Sequence, residues 1–102
     1  MYYLVESKGH ITNFPDTSLV VVKWSAKWCQ PCKRIQKQYD HLESQFPNKR
    51  VVCTIADVNQ CPQFSKKHNV EFMPTFTIFN KEQLIGTYKS LDMVREILLK
   101  HL

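Results

Sequence analysis

Trp24-Ser25-Ala26-Lys27-Trp28-Cys29-Gln30-Pro31-Cys32-Lys33 is the stretch on which the architecture turns. On its N-terminal side, Leu19 to Trp24 is β-branched and almost wholly apolar, which suits a central strand covered on both faces. Lys23 is the anomaly in that strand. On its C-terminal side, apolar residues fall at Ile35, Tyr39, Leu42 and Phe46, a 4-3-4 spacing that draws one stripe along a helix starting near Pro31 and ended by Pro47. The two cysteines therefore stand where a buried strand hands over to a helix.

Working outward, Val51 to Val58 repeats the buried-strand pattern, and Pro62 suits the first turn of a short helix running to about His68. Strand, helix, strand, helix is a βαβ rhythm. Glu71 to Asn80 and Gln83 to Lys89 read as two strands joined by a Lys81-Glu82 turn, too short for anything but an antiparallel hairpin. Ser90 is placed to cap a last helix whose stripe includes Leu91, Val94, Leu98 and Leu102. Ahead of the central strand lie a β-rich stretch, Tyr2 to Glu6, and a polar region, Ser7 to Ser18, where Pro15 limits any helix to about a turn.

The 102 residues, 43% hydrophobic and 23% charged, make one α/β domain and exclude both a multidomain enzyme and a disordered chain. The longest aliphatic run, Leu19 to Val22, falls far short of the ~20 residues a membrane span needs. Met1 to Val5 carries no basic stretch ahead of an apolar one, so no leader is expected and the expected address is the cytoplasm. A net charge of +5 favours acidic partners and is too modest to indicate nucleic acid. With only Gly9 and Gly86, a glycine loop that cradles phosphates is absent.

The cysteines are Cys29, Cys32, Cys53 and Cys61. In a reducing compartment their chemistry is metal binding, redox catalysis or packing. Residues three apart in a first helical turn have Cα atoms ~5 Å apart, within the range that a disulfide spans. Unpaired N–H groups at a helix start stabilise a thiolate on Cys29, and such sites have thiol pKa values of roughly 3.5–7.5 against ~8.5 for a free cysteine. That thiolate attacks a substrate disulfide, and a less exposed Cys32 resolves the mixed disulfide. Pro31 stiffens the turn and Trp28 is expected to cover one side. The competing reading, half a zinc site, lacks a partner pair: Cys53 and Cys61 are eight apart and no two histidines have ligand spacing. Cys53 reads as a packed, inert thiol, and Cys61 as an exposed thiol, with an accessory redox role the minority reading.

The string Trp28-Cys29-Gln30-Pro31-Cys32-Lys33, with Met73-Pro74-Thr75-Phe76 some forty residues later, resembles the thioredoxin family over essentially the whole chain. Leu19 to Ala26, Phe72 to Phe79 and Asp57-Val58-Asn59-Gln60-Cys61 look most like the cytosolic eukaryotic type. The resemblance implies a thioredoxin fold with a five-stranded mixed sheet and about four helices, the first shortened. It implies that Pro74 is a cis-proline facing the sulfurs and that Met73 offers backbone groups to an extended substrate. It also implies a monomer that reduces protein disulfides, binds no cofactor beyond its own Cys29–Cys32 disulfide, and is recharged by an NADPH-linked thioredoxin reductase. A thioredoxin-fold binding or scaffold module with weak or lost redox activity, and a disulfide isomerase or oxidase, are the alternatives.

Four positions depart from the family pattern. Gln30 replaces a glycine between the cysteines. Lys37 replaces a helix-kinking proline, so a straighter helix is expected. Ser90 replaces a glycine that lets substrate approach. Lys23 takes the place of a buried aspartate that serves proton transfer to the second cysteine. It is expected beneath the dithiol with a lowered pKa, opposite Ile55, with a snorkelling side chain as the alternative. Lys23, Lys27, Lys33, Arg34 and Lys37, with no acid before Asp40, suggest a face that selects acidic targets or simply a solvated helix face.

Overall fold

The computed structural model describes residues 2–4, 18–46, 50–81 and 83–102. The shortened first helix, the end of the Tyr2 to Glu6 stretch, Pro47 and Glu82 lie outside them.

Strands β1 (Tyr2–Tyr3), β2 (Leu19–Ser25), β3 (Val51–Asp57), β4 (Thr75–Asn80) and β5 (Gln83–Tyr88) form a mixed sheet in the order β1-β3-β2-β4-β5. Four of them have six or seven residues, and β1 adds a two-residue edge. β2 pairs parallel with β3 and antiparallel with β4, so Lys23 sits between Ile55 and Phe76. Four helical segments are described: α1 (Gln30–Arg34), α2 (Gln36–Ser44), α3 (Pro62–Lys67) and α4 (Leu91–His101).

Period-two alternation sorts the side chains of β2 onto two cores. Leu19 and Val21 pack with Tyr39 and Leu42 of α2 and with Val94 and Leu98 of α4. Val20, Val22 and Trp24 pack on the other face with Leu4, Ala56, Cys61 and Phe79, with Phe64 of α3 against them. Each such side chain removed from water contributes roughly 1.5–3 kcal/mol. Alternation also dictates that Lys23 shares the face of Leu19 and Val21. The strand therefore delivers an amine under the α1–α2 helical layer.

The helix expected from Pro31 is broken, contrary to the straight helix expected from Lys37. Ile35, with φ −97° and ψ 1°, separates α1 from α2. At the break the Lys23 amine donates to the Cys32 carbonyl at 3.0 Å, so a side chain enters the helical ladder and does what a proline does elsewhere. The apolar stripe survives because one irregular residue keeps the 4-3-4 phase: Tyr39 and Leu42 are fully buried and Phe46 nearly so.

The hairpin begins later than its apolar pattern suggests. Residues 71–74 are irregular, the Met73–Pro74 bond is cis, and β4 starts only at Thr75. A proline cannot donate to the ladder, so pairing begins after it. Lys81, with φ 59°, makes the left-handed step of the turn. Ser90 caps α4, its hydroxyl accepting the Met93 N–H at 3.3 Å.

Candidate active site

Cys29 is the N-cap of α1, in extended conformation with φ −83° and ψ 104°, and its N–H returns to the Ala26 carbonyl at 3.1 Å. Cys32 lies one turn on, with Cα atoms 5.3 Å apart, and the two sulfurs are bonded. The Cys32 N–H donates to the Cys29 sulfur at 3.2 Å, an instance of the helix-start donors expected from the sequence. Cys29 is not the exposed thiol expected: it is 3% exposed against 1% for Cys32. The burial comes from packing in a small cluster with Ala26, against which Val58 and Met73 lie.

Around this pair Lys27, Trp28, Gln30 and Pro31 are exposed, Trp28 by 65%, so Trp28 stands open to solvent beside the sulfurs. Pro74 joins Ile35, Phe76, Ser90 and Leu91 in lining a cavity of about 300 Å³ next to the half-buried Met73. The fold thus brings the β2–α1 corner and the 71–74 segment together, which are some forty residues apart in the chain.

Lys23 is 1% exposed, so it does not snorkel and does not belong to the basic face. That face reduces to Lys27, Lys33, Arg34 and Lys37, all exposed. Burial pushes the Lys23 amine below its ordinary pKa, and the Asp40 carboxylate partly offsets this. The amine also donates to Gln36 Oε1, and Gln36 Nε2 donates to Asp40 Oδ1 at 2.8 Å. Sequence reasoning missed Gln36 and Asp40 as neighbours of the site; their i,i+4 spacing beside the buried stripe was the available signal. The stripe placed Tyr39 in the core but not its hydroxyl, which donates to the Thr54 carbonyl at 2.6 Å and clamps α2 to the sheet.

Cys53 is fully buried and inert, its thiol pushed up to about 12 by burial and then by the Glu43 carboxylate. Cys61, expected to be exposed, is fully buried: it precedes the first turn of α3 and its thiol donates to the Leu4 carbonyl at 3.6 Å. Among the described residues no three His, Cys, Asp or Glu side chains are grouped to hold a metal, and no helix is long and apolar enough to cross a membrane.

A bonded cysteine pair at a strand-to-helix corner, beside a cis-proline on a mixed sheet, defines a dithiol–disulfide oxidoreductase. The thioredoxin family model matches residues 6–100. Thioredoxin of Oryctolagus cuniculus is 38% identical over 91 residues, covering 86% of this chain and 85% of that one. Thioredoxin of Homo sapiens is 39% identical with the same coverage. Among solved structures, Fasciola hepatica thioredoxin superposes with a TM-score of 0.76 at 27% identity, over 84% of this chain and 83% of that one. Spinach chloroplast thioredoxin f reaches 0.86 at 19% identity, over 97% and 90%, a likeness of fold. The chain belongs to the thioredoxin family. Its activity is reduction of protein disulfides by thiol–disulfide exchange through the cysteine pair, with disulfide-bonded proteins as substrates and a thioredoxin reductase as electron source.

Proposed function

We propose that Cys29 is the attacking nucleophile of this reductase, that Cys32 resolves the mixed disulfide, and that Lys23 receives the proton Cys32 gives up. The observation that carries the assignment is the Cys32 N–H aimed at the Cys29 sulfur, because a donor at that atom favours its thiolate. The Cys29 thiolate attacks one sulfur of the substrate disulfide and the other leaves as a thiolate. Cys32 then loses its proton to the neutral Lys23 amine and attacks the Cys29 sulfur. The second substrate sulfur leaves, and the pair has given up two electrons. Burial favours the neutral amine, the form that accepts a proton.

Trp28, Gln30, Pro31, Met73 and Pro74 form the substrate-contacting rim in this reading. The exposed cations Lys27, Lys33, Arg34 and Lys37 give it a preference for acidic targets. The protein works as a cytoplasmic monomer, and NADPH enters only through the reductase.

Reduction of insulin disulfides by dithiothreitol, with and without the protein, tests the activity; no acceleration leaves a thioredoxin-fold binding module. Cys32→Ser should trap mixed disulfides with substrates and Cys29→Ser should not. The opposite pattern reverses the two roles. Reduction of an acidic substrate should slow as ionic strength rises from ~0.02 M to ~0.5 M, where the Debye length is a few Å. A flat response removes the acidic preference.

A further inference from the structure

From the unbroken hydrogen-bonded chain that joins the Cys32 carbonyl, the Lys23 amine, the Gln36 amide and the Asp40 carboxylate, we infer that Gln36 and Asp40 are positioning residues that set the protonation of Lys23 and, through it, the pH dependence of the resolving step. The inference rests on the proton-accepting role given above to Lys23. With Lys23 protonated, each link has only one workable polarity. An ammonium has no lone pair and only donates, so in that form only the Oε1 side of the Gln36 amide can face it, as observed. A carboxylate only accepts, so only the Nε2 side can face Asp40. Asp40 and Lys23 therefore select the same orientation of the amide, and the exposed end of the chain fixes the buried end. Asp40 is exposed, Gln36 is half-buried and Lys23 is sealed, so the chain runs from solvent to the Cys32 backbone across one turn of α2.

Other groups on this face leave Asp40 as the charge that acts. From α2, the Tyr39 ring lies with its centroid 5.7 Å from the amine, its phenol held neutral by burial, and Glu43 accepts the Cys53 N–H at 3.1 Å. From β3 come Ile55 and Cys53, whose thiol stays protonated up to about 12, and from β4 comes Phe76. Tyr88 of β5 packs against the same cluster through its ring. Among the described residues, Asp40 is the acidic group that offsets desolvation of the amine. The active form in the resolving step is the neutral amine. A carboxylate that favours the ammonium therefore holds the rate limb at higher pH, and one brought closer raises it further.

The test is a single-turnover pH profile. The reduced protein is mixed with an aromatic nitrobenzoate disulfide that releases one coloured thiolate when Cys29 attacks and a second when Cys32 resolves. Asp40→Asn should move the limb of the second phase to lower pH by about 0.3 unit or more. Gln36→Glu should move it to higher pH, and the first phase should keep its profile in both variants. A role confined to folding cannot produce shifts of opposite sign. The Lys23 side-chain NMR signal, titrated in the oxidised proteins, should follow the same two directions without any turnover. If Lys23→Met abolishes the limb while Asp40→Asn and Gln36→Glu leave it and the NMR titration in place, the positioning role is overturned and that of Lys23 stands. If Lys23→Met keeps the limb, the proton-accepting role fails, and this inference with it.

Discussion

Replacing Lys23 with methionine keeps the side-chain bulk and removes the amine, and its effect on stability should change with pH. At high pH the wild-type amine is neutral in both folded and unfolded chains. There it contributes two neutral hydrogen bonds, to Cys32 O and Gln36 Oε1, each about 1 kcal/mol net. The methionine variant should therefore be less stable by roughly 2 kcal/mol above the unfolded lysine pKa. Below it the linkage works against the wild type. The folded pKa is lowered, so the unfolded state binds the extra proton first, and the wild type loses stability as pH falls from the unfolded towards the folded pKa. The gap between the two proteins therefore narrows as pH falls through that interval. Urea unfolding of both oxidised proteins from about pH 7 to about pH 11 measures the difference directly, because other titrating groups cancel between them. A difference that stays constant across that range would refute the reasoning, since the amine would then titrate alike in both states.

Three further outcomes follow from the same structure. Thr77→Val leaves the buried Trp24 indole N–H, now 2.9 Å from the Thr77 hydroxyl, without an acceptor and should cost about 1–3 kcal/mol in denaturant unfolding. Ser90→Ala removes the cap of α4 and should lower stability by about 1 kcal/mol, read as a fall in Tm of roughly 4–8 °C. His68, packed edge-on against Phe64 and Phe79, has its pKa lowered by burial and by Lys67. The protein should therefore lose stability as pH falls through and below about 6.5, and His68→Leu should lose less over that interval.

The strands and the α2 stripe were legible because their signals are local: unbroken apolar, valine-rich runs at Leu19 to Val22 and Val51 to Val52, and the phase of Ile35, Tyr39 and Leu42. The break at Ile35 was not. It arises from a lysine on β2, thirteen residues before the Gln36 that receives its amine, and no helical period records a contact from another element. Cys29 and Cys61 owe their burial to the same kind of distant contact. Each sits at a helix start, a position that exposes the backbone in isolation, and each is buried by segments distant in sequence, Met73 for one and Leu4 for the other. The spacing of Cys29 and Cys32 revealed the redox pair because the chemistry needs nothing beyond one helical turn. Its companion Pro74 came only from resemblance, since a cis bond leaves no trace in composition.

The lysine at the heart of the broken helix constrains what this sequence can become. Its amine faces two oxygens, the Cys32 carbonyl and Gln36 Oε1. An aspartate set there alone would turn a carboxylate towards acceptors, and rotating the Gln36 amide to greet it would present Oε1 to Asp40 instead. Positions 23, 36 and 40 therefore form a unit of inheritance. Lys23→Asp made alone meets repulsion at both neighbours, and a tolerated exchange must change strand and helix together. Substitutions at these three sites should be strongly non-additive.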